Sequence, residues 1–240
     1  MILEYLDERK QKVLEIIIED YIDSAEPVGS KTVTQKHHLD ASPATVRFDM
    51  ADLEKKGFIT KPHTSAGRIP SDKGYRFFID NLMKDIELSR REAEHIRENI
   101  RRAQHDSMLS LISELLSELC GTASMVVSPE RNTAVSISGI SKMLRQPEFS
   151  FPDRICDIVE VIEKHTAMID SLDEYIDNKE DLVIRVGSEN NLRALKNCSV
   201  AAVPFGDRGI LSVIGPTRMD YRKIASMLRS VADMLDREGA

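Results

Sequence analysis

The sequence lacks tryptophan, has only three cysteines in 240 residues, and contains no long hydrophobic run. Its uninterrupted apolar stretches are only a few residues long, such as Ile16–Ile18, whereas a membrane-spanning helix needs about 20. The three cysteines are scattered, odd in number and without a C-x-x-C spacing, which favours buried reduced thiols over disulfides or zinc. The sequence therefore predicts no membrane partner, no metal site and no cofactor.

Signals for export and catalysis are also missing. The opening MILEYLDERK has Glu4, Asp7 and Glu8 where a signal peptide needs basic charge and an apolar run, which predicts a cytoplasmic protein. There is no G-x-x-x-x-G-K-[ST] loop, no H-E-x-x-H, no G-x-S-x-G and no G-x-G-x-x-G after a strand. The six histidines include no pair at i, i+4. We expect no enzymatic activity.

What the sequence does have is an uneven distribution of charge. The net charge is −7, and residues 1–30 hold 3 basic and 8 acidic side chains. Residues 54–78, in contrast, hold 6 basic and 2 acidic side chains. A short basic stretch of this kind is typical of a face that meets phosphates, although any solvated surface can carry one.

Helix signals over the first 57 residues predict three helices. Apolar residues recur at helical spacing from Leu6 to Ile22, and Ser30 is a candidate N-cap for a second, short helix over 31–38. Ser42 is a candidate N-cap for the third helix, with Pro43 at its first position and Gly57 just past its end. Helix, short helix, turn, helix is the helix-turn-helix order, although an ordinary helical domain has it too.

The residues after the third helix predict a wing. FITKP and RIP are short extended pieces on either side of the turn HTSAG, and Ser71 is a candidate cap for a helix through Asn81. We expect the side chains around this hairpin and the third-helix ends to contact the DNA backbone: Ser42, Lys55, Lys61, His63, Thr64, Ser65, Arg68, Lys73 and Arg76.

The rotation of the third helix follows from its apolar residues. At 100° per residue, Val46, Met50 and Leu53 share one face and should point to the core. The opposite face and its flanks then supply the base-reading candidates, which are Ala44, Thr45, Arg47 and Phe48. The alternative for Phe48 is that it packs against the wing.

The middle of the chain, from Ile86 to Leu119, reads as one long helix or two. Ile96, Ile100 and Ala103 form a stripe as narrow as a coiled-coil seam, which favours a helix that pairs with its mate in a homodimer. Packing of the same stripe on its own domain remains the alternative.

After Gly121 the sequence changes to short β-rich runs, interrupted by a helical stretch from Pro152 to Ile176 and closed by a helix from Asp220. This pattern predicts an α+β domain. Arg218 and Asp220 could line a pocket, but Asp220 is more simply an N-cap and Arg218 a surface cation.

Three separate segments resemble one family. ATVRFDMADLEKKGFITKPHTSAGRIPSDKGYRFFID (44–80), SGISKMLRQPEFS (138–150) and VIGPTRMDY (213–221) are similar to HrcA, the heat-inducible transcription repressor. The resemblance implies a dimeric repressor that binds an inverted-repeat operator in double-stranded DNA upstream of chaperone operons, assisted by a chaperonin. The residue patterns and the resemblance together predict a winged helix-turn-helix over 1–80 and a helical connector over 81–119. The resemblance implies that the domain over 120–240 is a GAF-like regulatory domain.

Two departures from the family pattern matter. Phe48 stands where HrcA usually has Asn in the recognition helix, so the operator read here can differ. The strand over 123–128 also runs almost directly, through 129–132, into the next segment, without the inserted dimerising region of longer members. Two other functions stay open: an HrcA-like paralogue that senses a small ligand and controls other genes, or a module that binds proteins rather than DNA.

Overall fold

The computed structural model describes residues 6–63, 66–84, 86–102, 107–128, 134–150, 152–176, 181–206 and 208–238. The chain divides into two compact units, residues 1–84 and 85–240. None of the helices in the described ranges has the length and apolar character that crossing a membrane requires.

In its described residues the first unit contains four α-helices and a two-stranded antiparallel hairpin, in the order that the sequence predicts. These elements are α1 (Glu8–Ser24), α2 (Ser30–Lys36), α3 (Pro43–Lys55), β1 (Ile59–Thr60), β2 (Ile69–Pro70) and α4 (Asp72–Phe77). A π-helical turn, Phe78–Leu82, follows α4. Buried apolar residues from α1, α2 and α3, including Leu14, Val33 and Leu53, form the core of the unit.

The start of α2 differs from the prediction. Ser30 is the first residue of the helix rather than its cap, and Gly29 occupies the cap position with an extended backbone and no side-chain hydrogen bond. Ser30 is buried, and its carbonyl accepts a hydrogen bond from Thr34 Oγ1 at 3.1 Å. The serine therefore takes part in the packing of α2 instead of capping it.

The second unit is built around a five-stranded antiparallel sheet in the order β4-β3-β7-β6-β5. Its elements are α5 (Arg90–Arg102), α6 (Met108–Cys120), β3 (Ala123–Ser128), β4 (Ala134–Ser138), α7 (Ile140–Leu144), α8 (Pro152–Glu163), α9 (His165–Ile176), β5 (Val183–Val186), β6 (Cys198–Phe205), β7 (Gly209–Pro216) and α10 (Tyr221–Glu238). The unit is α+β, as predicted.

Helices cover both faces of this sheet. Because strand side chains alternate between faces, Met125 and Val127 of β3 enter a core with Ile158 of α8 and Leu172 of α9. The other face packs against α6 and α10, where Ser124 Oγ donates a hydrogen bond to the carbonyl of Ser113. The sheet is the central layer of the unit.

The stripe on α5 packs inside the second unit. Ile96 and Ile100 are buried, and α5 contacts α6 and α10. The structure thus corresponds to the alternative in which this helix packs on its own domain, and the two isoleucines are not free to form a seam with a second copy. Ala103, the third residue of the predicted stripe, lies outside the described residues.

Of the two residues singled out just before α10, Asp220 has its predicted role and Arg218 does not. Asp220 caps the helix as predicted, since its Oδ1 accepts a hydrogen bond from the backbone N–H of Lys223 at 3.0 Å. Arg218, expected as a surface cation, is instead largely buried and donates from Nε to Glu148 Oε1 at 2.5 Å. The partner is 70 residues away in sequence, which is why local patterns do not reveal the pair.

Strands β3 and β4 pair directly with each other, with Ser128 opposite Ala134. Only residues 129–133 connect them, and these lie outside the described residues. The chain therefore has no room between these two strands for an inserted domain.

Candidate nucleic-acid interface

The start of α3 is fixed by its cap. Ser42 Oγ accepts a hydrogen bond from the backbone N–H of Thr45 at 3.1 Å, and Pro43 occupies the first helical position, where its missing N–H costs nothing. Thr45 Oγ1 lies 2.9 Å from Ser42 Oγ. These contacts stabilise the first turn of α3, in which Thr45 is half-buried.

The end of α3 is equally defined. Gly57 has φ +79°, in the left-handed region that favours glycine, and the N–H of Phe58 donates back to the carbonyl of Leu53 at 2.9 Å. Both ends agree with the predicted signals.

The rotation of α3 is also as predicted. Val46, Met50 and Leu53 are buried, whereas Ala44 and Arg47 are exposed. Phe48 is 79% exposed, so it does not pack against the hairpin. A phenylalanine with this exposure sits on the outward face of the helix, beside the two other exposed candidates.

The carboxylates of α3 that lie near α1 are paired with cations. Asp49, which is buried, accepts from Arg9 Nε at 2.7 Å and from Arg9 Nη2 at 3.0 Å. Asp52 lies 3.3 Å from both Lys10 Nζ and Lys56 Nζ, and hydrogen bonds from these lysines hold its pKa below the usual value. The negative charge of α3 is thus neutralised on the side that faces α1.

The hairpin attaches to the helices through backbone hydrogen bonds. Ile59 is opposite Pro70 and Thr60 opposite Ile69. Val28, between α1 and α2, exchanges two hydrogen bonds with Arg68, each 2.9 Å long. A Cβ on Gly67 would lie 2.5 Å from the carbonyl oxygen of Val28, so only glycine permits this approach.

Arg68 is tied to the third carboxylate of α3. Its Nη2 lies 2.8 Å from Glu54 Oε2, and its side chain is 19% exposed. A phosphate at this position would have to share the guanidinium with Glu54, so Arg68 anchors the hairpin to α3 in the free protein.

The remaining residues predicted to contact the DNA backbone differ in solvent exposure. Lys55 and His63 are exposed, and Lys61 is half-buried. Lys73 is exposed, donates from Nζ to the carbonyl of Lys56 at 2.8 Å and lies 4.6 Å from the centre of the Phe58 ring. Arg76 forms an ion pair with Asp80 at 3.0 Å. Thr64 and Ser65 lie outside the described residues.

A cleft of about 440 Å³ lies beside α3, between the start of α2 and the base of the hairpin. Two arginines from the candidate set contribute to its wall. It is lined by Val28, Gly29, Ser30, Arg47, Met50, Ala66, Gly67 and Arg68. The cleft brings Arg47 and Arg68, which are 21 positions apart in sequence, to one surface.

Sequence reasoning missed the partners that neutralise α3. Arg9 and Lys10 lie in a segment with a net negative charge, and no local pattern connects Arg9 to Asp49, 40 residues later. The position of Asp49 next to the predicted core face could have indicated such a pair, because a buried carboxylate requires a cation or hydrogen-bond donors as partners.

A second buried carboxylate joins α1 to the end of α2. Asp20 is buried, and its Oδ1 accepts hydrogen bonds from Lys36 Nζ and, at 3.0 Å, from His37 Nε2. Burial favours the neutral form of Asp20, but the hydrogen bonds from Lys36 and His37 outweigh it and hold the pKa below 3.8. This cluster fixes the position of α2, and therefore of the turn before α3.

Acid is expected to weaken the first unit through Asp20. Because the pKa of Asp20 is lower in the folded than in the unfolded chain, its contribution is present above 3.8 and is lost as the pH falls through the lowered folded value. Urea unfolding measured from about pH 6 to pH 3 should show a smaller loss of stability for Asp20→Asn than for the parent chain. The exposed Asp40→Asn is the control, and an Asp20→Asn curve parallel to that of the parent would contradict the prediction.

Comparison with known proteins finds one family along most of the chain. Residues 76–225 match the family model described as the HrcA protein C terminal domain. A heat-inducible transcription repressor HrcA from Acetivibrio thermocellus is 30% identical, over 93% of this chain and 93% of that protein. Another from Ruminiclostridium cellulolyticum is 27% identical over 97% of each chain. A crystal structure described as a hypothetical protein has a TM-score of 0.77 over 97% of this chain and 98% of its own, at 18% identity, which shows a shared fold.

These relatives show that the chain is a transcription repressor, and the class to which they belong is not enzymatic. More particularly, the chain belongs to the HrcA family, since the family model covers more than half of it and the A. thermocellus relative matches nearly its whole length.

The chain is a shortened member of this family. Its alignment with the A. thermocellus repressor extends over 328 positions, which is more than the 240 residues of the chain itself. The relative therefore contains residues that have no counterpart here, in agreement with the short connection between β3 and β4.

Proposed function

We propose that this protein is a sequence-specific DNA-binding repressor of heat-shock genes that acts in the cytoplasm. In this proposal α1–α3 and the β1–β2 hairpin act as a winged helix-turn-helix, and the second unit acts as a GAF-like regulatory domain. The observation that carries the proposal is the outward face of α3, which is exposed, bears Arg47 and Lys55, and belongs to a helix whose ends and rotation are fixed.

In the complex α3 would enter the major groove with its first turns against the base edges. Ala44, Thr45, Arg47 and Phe48 would contact bases there. The backbone contacts would come from the helix ends and the wing, which include Ser42, Lys55, Lys61, His63, Thr64, Ser65, Lys73 and Arg76. Arg68 would act chiefly by holding the wing against Glu54, and would turn to phosphate only where both can share its guanidinium.

An inverted-repeat operator has two half-sites related by two-fold symmetry, which a symmetric homodimer matches. A homodimer with two-fold symmetry would present its two α3 helices about 34–36 Å apart, or at a multiple of that spacing, to the two half-sites. Since Ile96 and Ile100 are buried within the unit, the dimer would use another surface of the chain. A chaperonin that assists the repressor is part of the same proposal, on the strength of the family resemblance.

The test is a titration of the purified protein onto two labelled duplexes of equal length, at two salt concentrations. One duplex contains a chaperone-operon inverted repeat and the other is scrambled. The proposal predicts tighter binding to the repeat and a steep loss of affinity with salt. Equal, weak binding to both would favour an HrcA-like paralogue with other target genes, and no salt-dependent binding would favour a protein-binding role.

A further inference from the structure

The outward face of α3 carries a continuous exposed stripe. Ala44, Phe48, Ala51 and Lys55 follow one another at intervals of four, three and four residues, and all four are exposed. At 100° per residue they fall within about 60° of one another. The first three residues of the stripe are apolar, and Phe48 has the only large side chain among these three. The fourth residue is a lysine.

Charge around the stripe favours a polyanion. Each of the carboxylates of Asp49, Asp52 and Glu54 is held by a cation from α1, from the residue that follows α3 or from the hairpin. Of the exposed cations of α3, Arg47 directly precedes Phe48 and Lys55 lies two turns further along the helix. A protein partner that covered Phe48 would have to desolvate both cations, whereas DNA supplies phosphates to them on either side of the groove.

We propose that Phe48 reads a thymine in each operator half-site through the C5-methyl group; this inference rests on the DNA-binding function proposed above. A phenyl ring has no hydrogen-bonding group, and the thymine methyl is the apolar feature that base pairs present in the major groove. The small side chains of Ala44 and Ala51, one turn to either side, let the ring protrude furthest from the helix. Arg47, next to it, would bond guanine or phosphate beside that thymine.

The experiment begins with selection of duplexes from a random-sequence library by the parent chain, Phe48→Ala and Phe48→Asn. Because Phe48 is 79% exposed, both variants should fold like the parent, which thermal unfolding checks. The parent should select thymine at one position of each half-site, and Phe48→Ala should lose that preference alone. Phe48→Asn should prefer adenine there, since Asn can bond adenine at N6 and N7.

A second measurement removes only the methyl group. Deoxyuridine replaces each thymine of the parent's selected duplex in turn, which leaves every hydrogen-bonding atom in place. At the Phe48 position the parent should lose affinity about fourfold, the effect of one buried methyl-sized group. Phe48→Ala should bind the thymine and deoxyuridine duplexes equally, and deoxyuridine in the spacer between half-sites should have no effect on either protein.

The outcomes separate the inference from the proposed function. If the parent discriminates its selected duplex from a scrambled one but tolerates every deoxyuridine, the inference is wrong and the DNA-binding proposal stands. If the parent selects no sequence at all, both fall. If Phe48→Ala matches the parent in affinity and base preference, Phe48 does not enter the groove, and the stripe is a surface for a protein partner.

Discussion

Replacement of Gly74 by alanine is expected to destabilise the first unit by about 3 kcal/mol, the upper part of the usual range for forcing extra atoms into a packed site. A Cβ at this position of α4 would lie 2.0 Å from the carbonyl oxygen of Phe58. That carbonyl accepts a hydrogen bond from the N–H of Ser71 at 3.1 Å, and the Phe58 ring is buried against Phe77 with a centroid distance of 5.3 Å. The backbone of β1 would have to move, and the hairpin with it.

Gly29→Ala is the matched control for this change. It adds the same methyl group in the same unit, but the nearest atom, Thr32 Oγ1, is 3.9 Å away, an ordinary contact. Urea unfolding of the full chain should give Gly29→Ala a stability within about 0.5 kcal/mol of the parent. If Gly74→Ala were as stable as Gly29→Ala, the close approach of α4 to β1 would not describe the protein in solution.

The glycines explain part of the unusual run PHTSAGRIPSDKGYR in physical terms. Gly67 lets the hairpin pass Val28, Gly74 lets α4 pass Phe58, and Ser71 caps α4 by accepting from the N–H of Gly74 at 3.1 Å. A resemblance found from sequence thus corresponds to steric requirements of this fold. Those requirements concern contacts between elements, so inspection of the run alone does not reveal them.

The features of the fold that could be predicted from the sequence are those determined by residues close together in the chain. The ends of α3 follow from Ser42, Pro43 and Gly57, whose effects act within one helical turn, and the exposure of Phe48 follows from the helical period. The stripe of Ile96, Ile100 and Ala103 could pack either on its own domain or on a second copy of the chain. The helical periodicity of the sequence is the same in both cases. The choice depends on where α6 and α10 lie, which only the folded chain shows.

The charged residues of the interface illustrate the same limit. The sequence predicts that Arg47 contacts bases and that Arg68 contacts the DNA backbone, but it does not show which of them has a partner within the chain. The fold places Arg68 against Glu54 and leaves Arg47 exposed. Composition identifies the basic stretch, whereas the pairing of each cation depends on residues up to 40 positions away. Arg47 and Lys55 are the exposed cations of α3, and we therefore choose them first for replacement.

Reversal of these two charges should give the largest loss of DNA binding. We expect Arg47→Glu combined with Lys55→Glu to bind both the inverted-repeat and the scrambled duplex at least 100-fold more weakly than the parent at about 0.1 M salt. Two cations that meet the duplex would be replaced by carboxylates that repel it, on a helix in which Asp49, Asp52 and Glu54 are already paired with cations. A fluorescence anisotropy titration of labelled duplexes measures the change.

The control keeps the overall charge the same and changes only its place. Lys142→Glu with Arg208→Glu reverses two exposed cations in the second unit, so the net charge changes by the same amount in the two double variants. Binding by this control should stay within about threefold of the parent. An equal loss in both double variants would mean that net charge, not the face of α3, governs the affinity.

Single replacements then separate the roles of the two cations. If Arg47 bonds a guanine, Arg47→Ala should cost roughly 1–3 kcal/mol on the inverted repeat and little on the scrambled duplex. Lys55→Ala should weaken binding to both duplexes alike and reduce the slope of log K against log salt by about 1, because one phosphate contact is lost. Equal losses from Arg47→Ala on the two duplexes would move Arg47 to the phosphate backbone, and sequence recognition by α3 would then depend on Ala44, Thr45 and Phe48.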